Sequence, residues 1–131
     1  TAYDWAKANP RIYYTQPADI STGTYGDGDV SDEFMWAAAE LYITTKIDSY
    51  YTDVNLANLT PDVPWWGGVK TLGLFSLARH SAELTAVAET VIIKTKLDNL
   101  ATTIVNKGSS SDYGVDISTG DFNWGSNSFA N

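Results

Sequence analysis

The stretch TYGDGDVSDEFMWAAAELYITT, residues 24–45, decides the fold. Ser31 stands where a helix cap is wanted, and Asp32 and Glu33 place negative charge in the first turn, against the positive end of the helix dipole. The Phe34, Met35, Trp36, Ala37, Ala38, Ala39, Leu41, Tyr42 and Ile43 that follow are apolar almost all the way round. A helix with a single core-facing stripe would not need that; a helix packed on several sides does. The stretch therefore predicts helices built around helices.

Upstream of it, residues 10–30 read as one long loop, with Pro10, Pro17, Gly23, Gly26 and Gly28 set among Ser, Thr and Asp. A connection of about twenty residues is uncommon in a compact domain and usually carries function. Before the loop, residues 1–9 are predicted to be the last turns of a helix, with Ala2, Trp5 and Ala6 on one face and Pro10 forbidding continuation. Downstream, a second full helix is predicted over residues 66–79, where Val69, Leu72, Leu74, Phe75 and Leu77 form the apolar face and Pro64 stands just ahead. Gly67, Gly68 and Gly73 argue for close helix contacts there. A third is predicted over residues 82–106, with Leu84, Val87, Ala88, Val91, Leu97, Leu100, Ala101, Ile104 and Val105 as its face and Gly108 as its stop. A polar loop then runs over residues 109–120, and residues 121–131 lead toward a further helix. No segment sustains two-residue alternation, so the class is all-α, with helical hairpins joined by long loops in a stacked, ring-like array.

Composition limits the partners. The 131 residues, 44% of them apolar, suffice for one domain or part of one. Sixteen acidic against eight basic residues give a net charge of −8, which repels nucleic-acid phosphates and anionic lipid alike. No apolar run reaches the length needed to cross a bilayer, and no basic region followed by an apolar stretch opens the chain, so neither a membrane partner nor a signal peptide is expected. Cysteine is absent, which removes disulfides and thiolate metal sites. Five Trp, eight Tyr and four Phe are many for this length, and flat aromatic faces serve binding as well as core packing.

Three stretches together resemble glycoside hydrolase family nine, the cellulase family E: residues 24–45, WWGGVKTLGLFSLA at 65–78, and FNWGSNSFAN at 122–131. They occur in the family's order across nearly the whole chain. The resemblance implies an (α/α)6 barrel whose long loops form an open cleft for β-1,4-glucan, and hydrolysis with inversion. In that chemistry one carboxylate activates water and a carboxylic acid protonates the leaving oxygen, the two standing ~6.5–9.5 Å apart. The family draws its base from an Asp pair upstream of this region and its acid from a Glu downstream. Residues 1–131 are accordingly expected to be an internal segment of one catalytic domain, truncated at both ends, with no catalytic residue assigned and the rest of the barrel supplied by flanking sequence.

Within the segment, Asp27, Asp29, Asp32 and Glu33 bring several hard oxygens and tight glycine turns together, as calcium requires with its six to eight ligands. The resemblance implies a structural calcium held by Asp32 and Glu33 with backbone oxygens from around residues 27–29. A further Asp that some relatives supply has no match unless Asp62 replaces it. The competing reading is an ordinary acidic helix start. Trp65 and Trp66 follow Pro64 at a loop-to-helix junction, where an indole can stack on the C–H face of a sugar; successive helical residues point ~100° apart, so one of the two is expected to face the cleft. Tyr25 and Trp124 are weaker candidates for the same role, with core packing the alternative. Asp112, Asp116 and Asp121 read as solvated, Ser109, Ser110 and Ser111 as a flexible loop, and His80, the only histidine, as a helix terminus favoured by the dipole.

The function expected is that of a segment of a cellulase, an endo-β-1,4-glucanase acting on cellulose or cello-oligosaccharides. The alternative is a non-catalytic carbohydrate-binding or calcium-stabilised structural module. Because insoluble glucan cannot enter a cell, the resemblance also implies an extracellular, secreted protein.

Overall fold

The computed structural model describes residues 1–24, 26–65, 67–112 and 114. Among these the chain forms five α-helices and no strand beyond one isolated backbone bridge: α1 (Ala2–Ala8), α2 (Ser31–Thr45), α3 (Asp48–Val54), α4 (Lys70–Arg79) and α5 (Thr90–Ser110).

The centre is α2. Met35, Ala38, Ala39 and Tyr42 are buried, a repeat of three and four residues that makes one continuous stripe. Two alanines in that stripe let a neighbour come close, and α4 does so at Gly73. A Cβ there would sit 2.9 Å from Met35 Sδ and 3.2 Å from the Trp36 Cα, so a side chain would have to push the Met35 thioether aside and the helices slightly apart. The pairings climb both helices together: Asp32 against Val69 just ahead of α4, Met35 against Gly73, Glu40 against Ser76. The two helices therefore run parallel. Parallel neighbours need a return path, and α3 supplies it with residues 55–69, which open on a 3-10 turn at Leu56–Asn58.

The short α3 has no counterpart in the sequence pattern, because DSYYTDV has weak helix propensity and its start makes no side-chain cap. Tertiary contacts create it. Lys46 and Asn55 adopt left-handed backbone at φ 59° and 52°, ending α2 and α3 without a glycine. Tyr51 packs on Tyr42 with ring centroids 5.1 Å apart. On the other side Tyr3 of α1 meets Tyr50 and Phe34 edge-on and donates its hydroxyl to Asp53 at 3.2 Å, while Lys7 pairs with Asp53 at 2.7 Å. One carboxylate thus ties α1 to α3.

Two predicted boundaries move. The helix expected over 82–106 begins at Thr90, because the core tyrosines capture the chain before it. The Thr85 amide donates to Tyr42 Oη at 3.0 Å, Thr85 Oγ1 lies 2.7 Å from the same hydroxyl, and the Glu89 amide donates to Tyr51 Oη at 2.8 Å. Gly108 does not stop α5 either; it is buried inside the helix, which runs on to Ser110. The inward face of α5 is Ile93, Leu97, Leu100 and Ile104, whereas the predicted Val91 and Val105 are 77% and 61% exposed. Ser31 also differs: it is already helical and makes no cap through its side chain, and its amide is instead taken by Asp29 Oδ1 at 3.0 Å.

Gly73→Val is expected to cost about 2 kcal/mol, since overpacking a tight crossing outweighs any gain in helix propensity. Tyr42→Phe should cost about 1–2 kcal/mol by leaving the Thr85 amide without its acceptor. Urea denaturation reads both.

Candidate functional site

Parallel α2 and α4 start at the same end of the array, and the loops leading into them, residues 9–30 and 55–69, arrive there together. The aromatic turn and the acidic stretch are brought side by side in this way.

The aromatic turn begins after Pro64. The Trp65 amide donates to Gly68 O and the Gly68 amide to Trp65 O, both at 3.1 Å, closing a tight loop. The indole of Trp65 folds over the two glycines, and a Cβ on Gly67 would lie 2.8 Å from its Cη2. The helix predicted from residue 66 therefore cannot start here; it begins at Lys70, once this turn is complete. Trp65 is half-buried on the loop. Trp66, Tyr25 and Trp124, the other aromatic candidates, lie outside the described residues, as do Asp116 and Asp121.

Both flanks of the turn are fastened. Thr71, fully buried, accepts the Asp62 amide at 2.9 Å and donates to the Asp62 carbonyl at 2.6 Å, with Asp62 Oδ1 at 3.2 Å. Lys70 pairs with Asp62 Oδ2 at 2.9 Å. Asp32 Oδ2 accepts the Val69 amide at 2.6 Å. Asp62, considered from the sequence as a spare metal ligand, is here a loop fastener. Nothing in its composition distinguished those roles.

The acidic stretch is a succession of backbone-bonded turns. Asp27 Oδ1 accepts the Asp29 amide at 2.9 Å, and Asp29 Oδ1 accepts that of Ser31, which holds the Asp29 carboxyl below its usual range. Glu33 behaves oppositely. Loss of water around its carboxyl, then a hydrogen bond shared with Asp32 and the nearby negative charge of Asp32 and Asp27, push it from 4.5 up to about 7. The hydrogen bonds to backbone use one oxygen each of Asp27, Asp29 and Asp32. Among the described residues no three Asp, Glu or His side chains converge as a ready metal cage.

Elsewhere, His80 caps the end of α4 and Asp112 is exposed, as read from the sequence. The serines differ: Ser109 and Ser110 finish α5, their hydroxyls donating to Val105 O and Lys107 O at 3.1 and 3.0 Å. An open groove of about 620 Å³ lies between α1 and α2, walled by Ala2, Trp5, Ala6, Phe34, Ala37 and Leu41, and no single motif in the sequence marks it. The signal was present in the all-round apolarity of α2, whose second face this is. Among the described residues no helix is long and apolar enough to cross a membrane.

An all-α array with its long loops gathered at one end is the architecture of a piece of a helical barrel. The chain belongs to glycosyl hydrolase family 9, whose description matches residues 1–131 throughout. It is 39% identical over 92 residues to a xyloglucan-specific endo-β-1,4-glucanase of Bacteroides ovatus, covering 63% of this chain and 16% of that protein. To endoglucanase C of Cellulomonas fimi it is 40% identical over 91 residues, covering 64% and 8%. Endoglucanase D of Acetivibrio thermocellus matches at 28% over 133 residues, covering 96% and 21%. A solved Bacteroides ovatus family 9 structure superposes with a TM-score of 0.74 at 30% identity, over 89% of this chain and 23% of the other. That of AaCel9A in complex with cellobiose-like isofagomine gives 0.74 at 26%, over 94% and 24%. The fold is thus a segment of the (α/α)6 barrel of these enzymes, and the chain spans less than a quarter of each protein named.

Glu33 binds its proton more tightly folded than unfolded. Its contribution to stability is complete below about pH 4.5 and is lost as the pH rises through about 7. In calcium-free buffer, Glu33→Gln should flatten the decline in stability across that window, measured by urea denaturation at a series of pH values.

Proposed function

We propose that this chain is part of the catalytic domain of a secreted endo-β-1,4-glucanase that hydrolyses β-1,4-glucan with inversion, and that it shapes one part of the substrate cleft. The observation that carries the reading is the meeting of the two long loops at the shared start of α2 and α4, in a chain whose whole length matches a glycosidase family. The names of the relatives supply the substrate class: each is an endoglucanase, one of them specific for xyloglucan. The reacting carboxylates would come from other parts of the domain. The segment's own task is binding, with the indole of Trp65, seated on its glycine turn, as the residue that stacks on a sugar ring; stacking of this kind gains from buried apolar area and from the ring's electronic face. Trp66, Tyr25 and Trp124 remain candidates for neighbouring positions along the glucan.

The groove between α1 and α2 belongs to the same reading. Its walls are chiefly apolar and Trp5 is 62% exposed, which suits another helix of the barrel better than a hydroxyl-rich sugar.

A structural calcium at Asp27, Asp29, Asp32 and Glu33 is part of the proposal. The donor chemistry is right, hard carboxylate oxygens within seven residues, but backbone carbonyls of residues 27–29 must complete the shell and the turn must close around the ion. In the complete catalytic domain, calcium at a hundredfold excess over Kd should add about 2.7 kcal/mol of stability, and Asp27→Asn with Glu33→Gln should abolish that gain. A melting temperature indifferent to calcium or chelator would remove the ion from the account.

Hydrolysis is tested on carboxymethylcellulose. Release of reducing ends with a rapid fall in viscosity is expected of the complete domain, because internal cleavage shortens chains early. Binding of cello-oligosaccharide with no cleavage would favour a carbohydrate-binding module.

A further inference from the structure

Several polar contacts hold one short loop in place. Residues 62–69 carry Trp65, and their two ends are held by different parts of the fold. At the entrance, the fully buried hydroxyl of Thr71 receives the Asp62 amide at 2.9 Å and returns a hydrogen bond to the Asp62 carbonyl at 2.6 Å. At the exit, Asp32 of α2 takes the Val69 amide at 2.6 Å. Between them, the paired backbone bonds of Trp65 and Gly68 close the turn, and the indole is pressed onto Gly67 and Gly68. A half-buried tryptophan that serves only as filler needs no such frame. A binding surface does, because order acquired before the ligand arrives need not be acquired on binding.

We infer that Thr71 is a positioning residue for sugar binding, acting through the Trp65 turn. Its hydroxyl clasps the loop shut on the α4 side while Asp32 clasps it on the α2 side, so that the indole plane is fixed before glucan is engaged. Thr71 touches no substrate. Thr71 is fully buried, so no water replaces the partner it holds. The inference deepens the reading of Trp65 as a sugar platform and rests on it.

The test uses the complete catalytic domain containing this segment, with cellohexaose as the probe. Thr71→Val keeps the shape and removes the hydroxyl; Thr71→Ser keeps the hydroxyl. The valine variant should raise KM about five- to tenfold, as expected from losing about one hydrogen bond's worth of order, with kcat within about twofold. The serine variant should stay near the unsubstituted enzyme. If Trp65→Ala raises KM and Thr71→Val does not, the clasp is overturned while the platform stands. If Trp65→Ala leaves KM unchanged, the platform itself fails and the inference with it. Should Thr71→Val not fold, hydrogen exchange on the unsubstituted domain decides. Protected Asp62 and Val69 amides support the clasp, and exchange at the rate of an open loop overturns it.

Discussion

The arrangement of the helices and their loops depends on how closely α4 lies on α2. At Gly73 a methyl group would crowd both the Met35 side chain and the backbone of Trp36. A crossing that tight fixes where the two helices meet, and the pairings that climb from Asp32–Val69 through Met35–Gly73 to Glu40–Ser76 make them run parallel. Because they are parallel, their starts lie together, and so do the loops that feed them. Asp32 seals that arrangement by reaching from the first turn of α2 to the amide just ahead of α4. The same side chain is therefore a member of the acidic stretch and a fastener of the aromatic turn. A change in one of these features is felt in the other.

Helical class and the placing of α2 were legible because they follow from one long apolar run. The α5 face was legible only in part. Its true inward line, through Ile93, Leu97, Leu100 and Ile104, competes in the sequence with Val91 and Val105, which are equally apolar but point away. Periodicity alone could not rank them, since what selects the face is the position of the core. The late start of α5 was invisible for a related reason. Thr85 and Glu89 are held by tyrosine hydroxyls from residues more than thirty positions earlier, and no local signal announces such a partner.

The site was legible as residue types and not as geometry. Two tryptophans after a proline and before two glycines mark an aromatic turn, and the glycines prove to be needed because the Trp65 ring lies on them. The roles of Asp62 and Thr71 required coordinates, as did the contrast between Asp29, pulled below the usual carboxylate range by backbone amides, and Glu33, pushed above it. The groove along α1 and α2 shows the same limit from another side: an all-round apolar helix was foreseen, but which of its faces is filled by residues of this segment depends on the packing of α3 and α4.

The parallel register of α2 and α4 is the claim on which the shared loop end, and with it the proposed cleft, depends. A double-mutant cycle between Met35 and Gly73 tests it most directly. Met35→Ala vacates the space that the side chain of Gly73→Val would invade, so the two changes together should destabilise less than the sum of each alone, with a coupling of about 1 kcal/mol or more. Strict additivity would mean that the two residues do not face each other, and the register that sets the two helix starts side by side would be wrong.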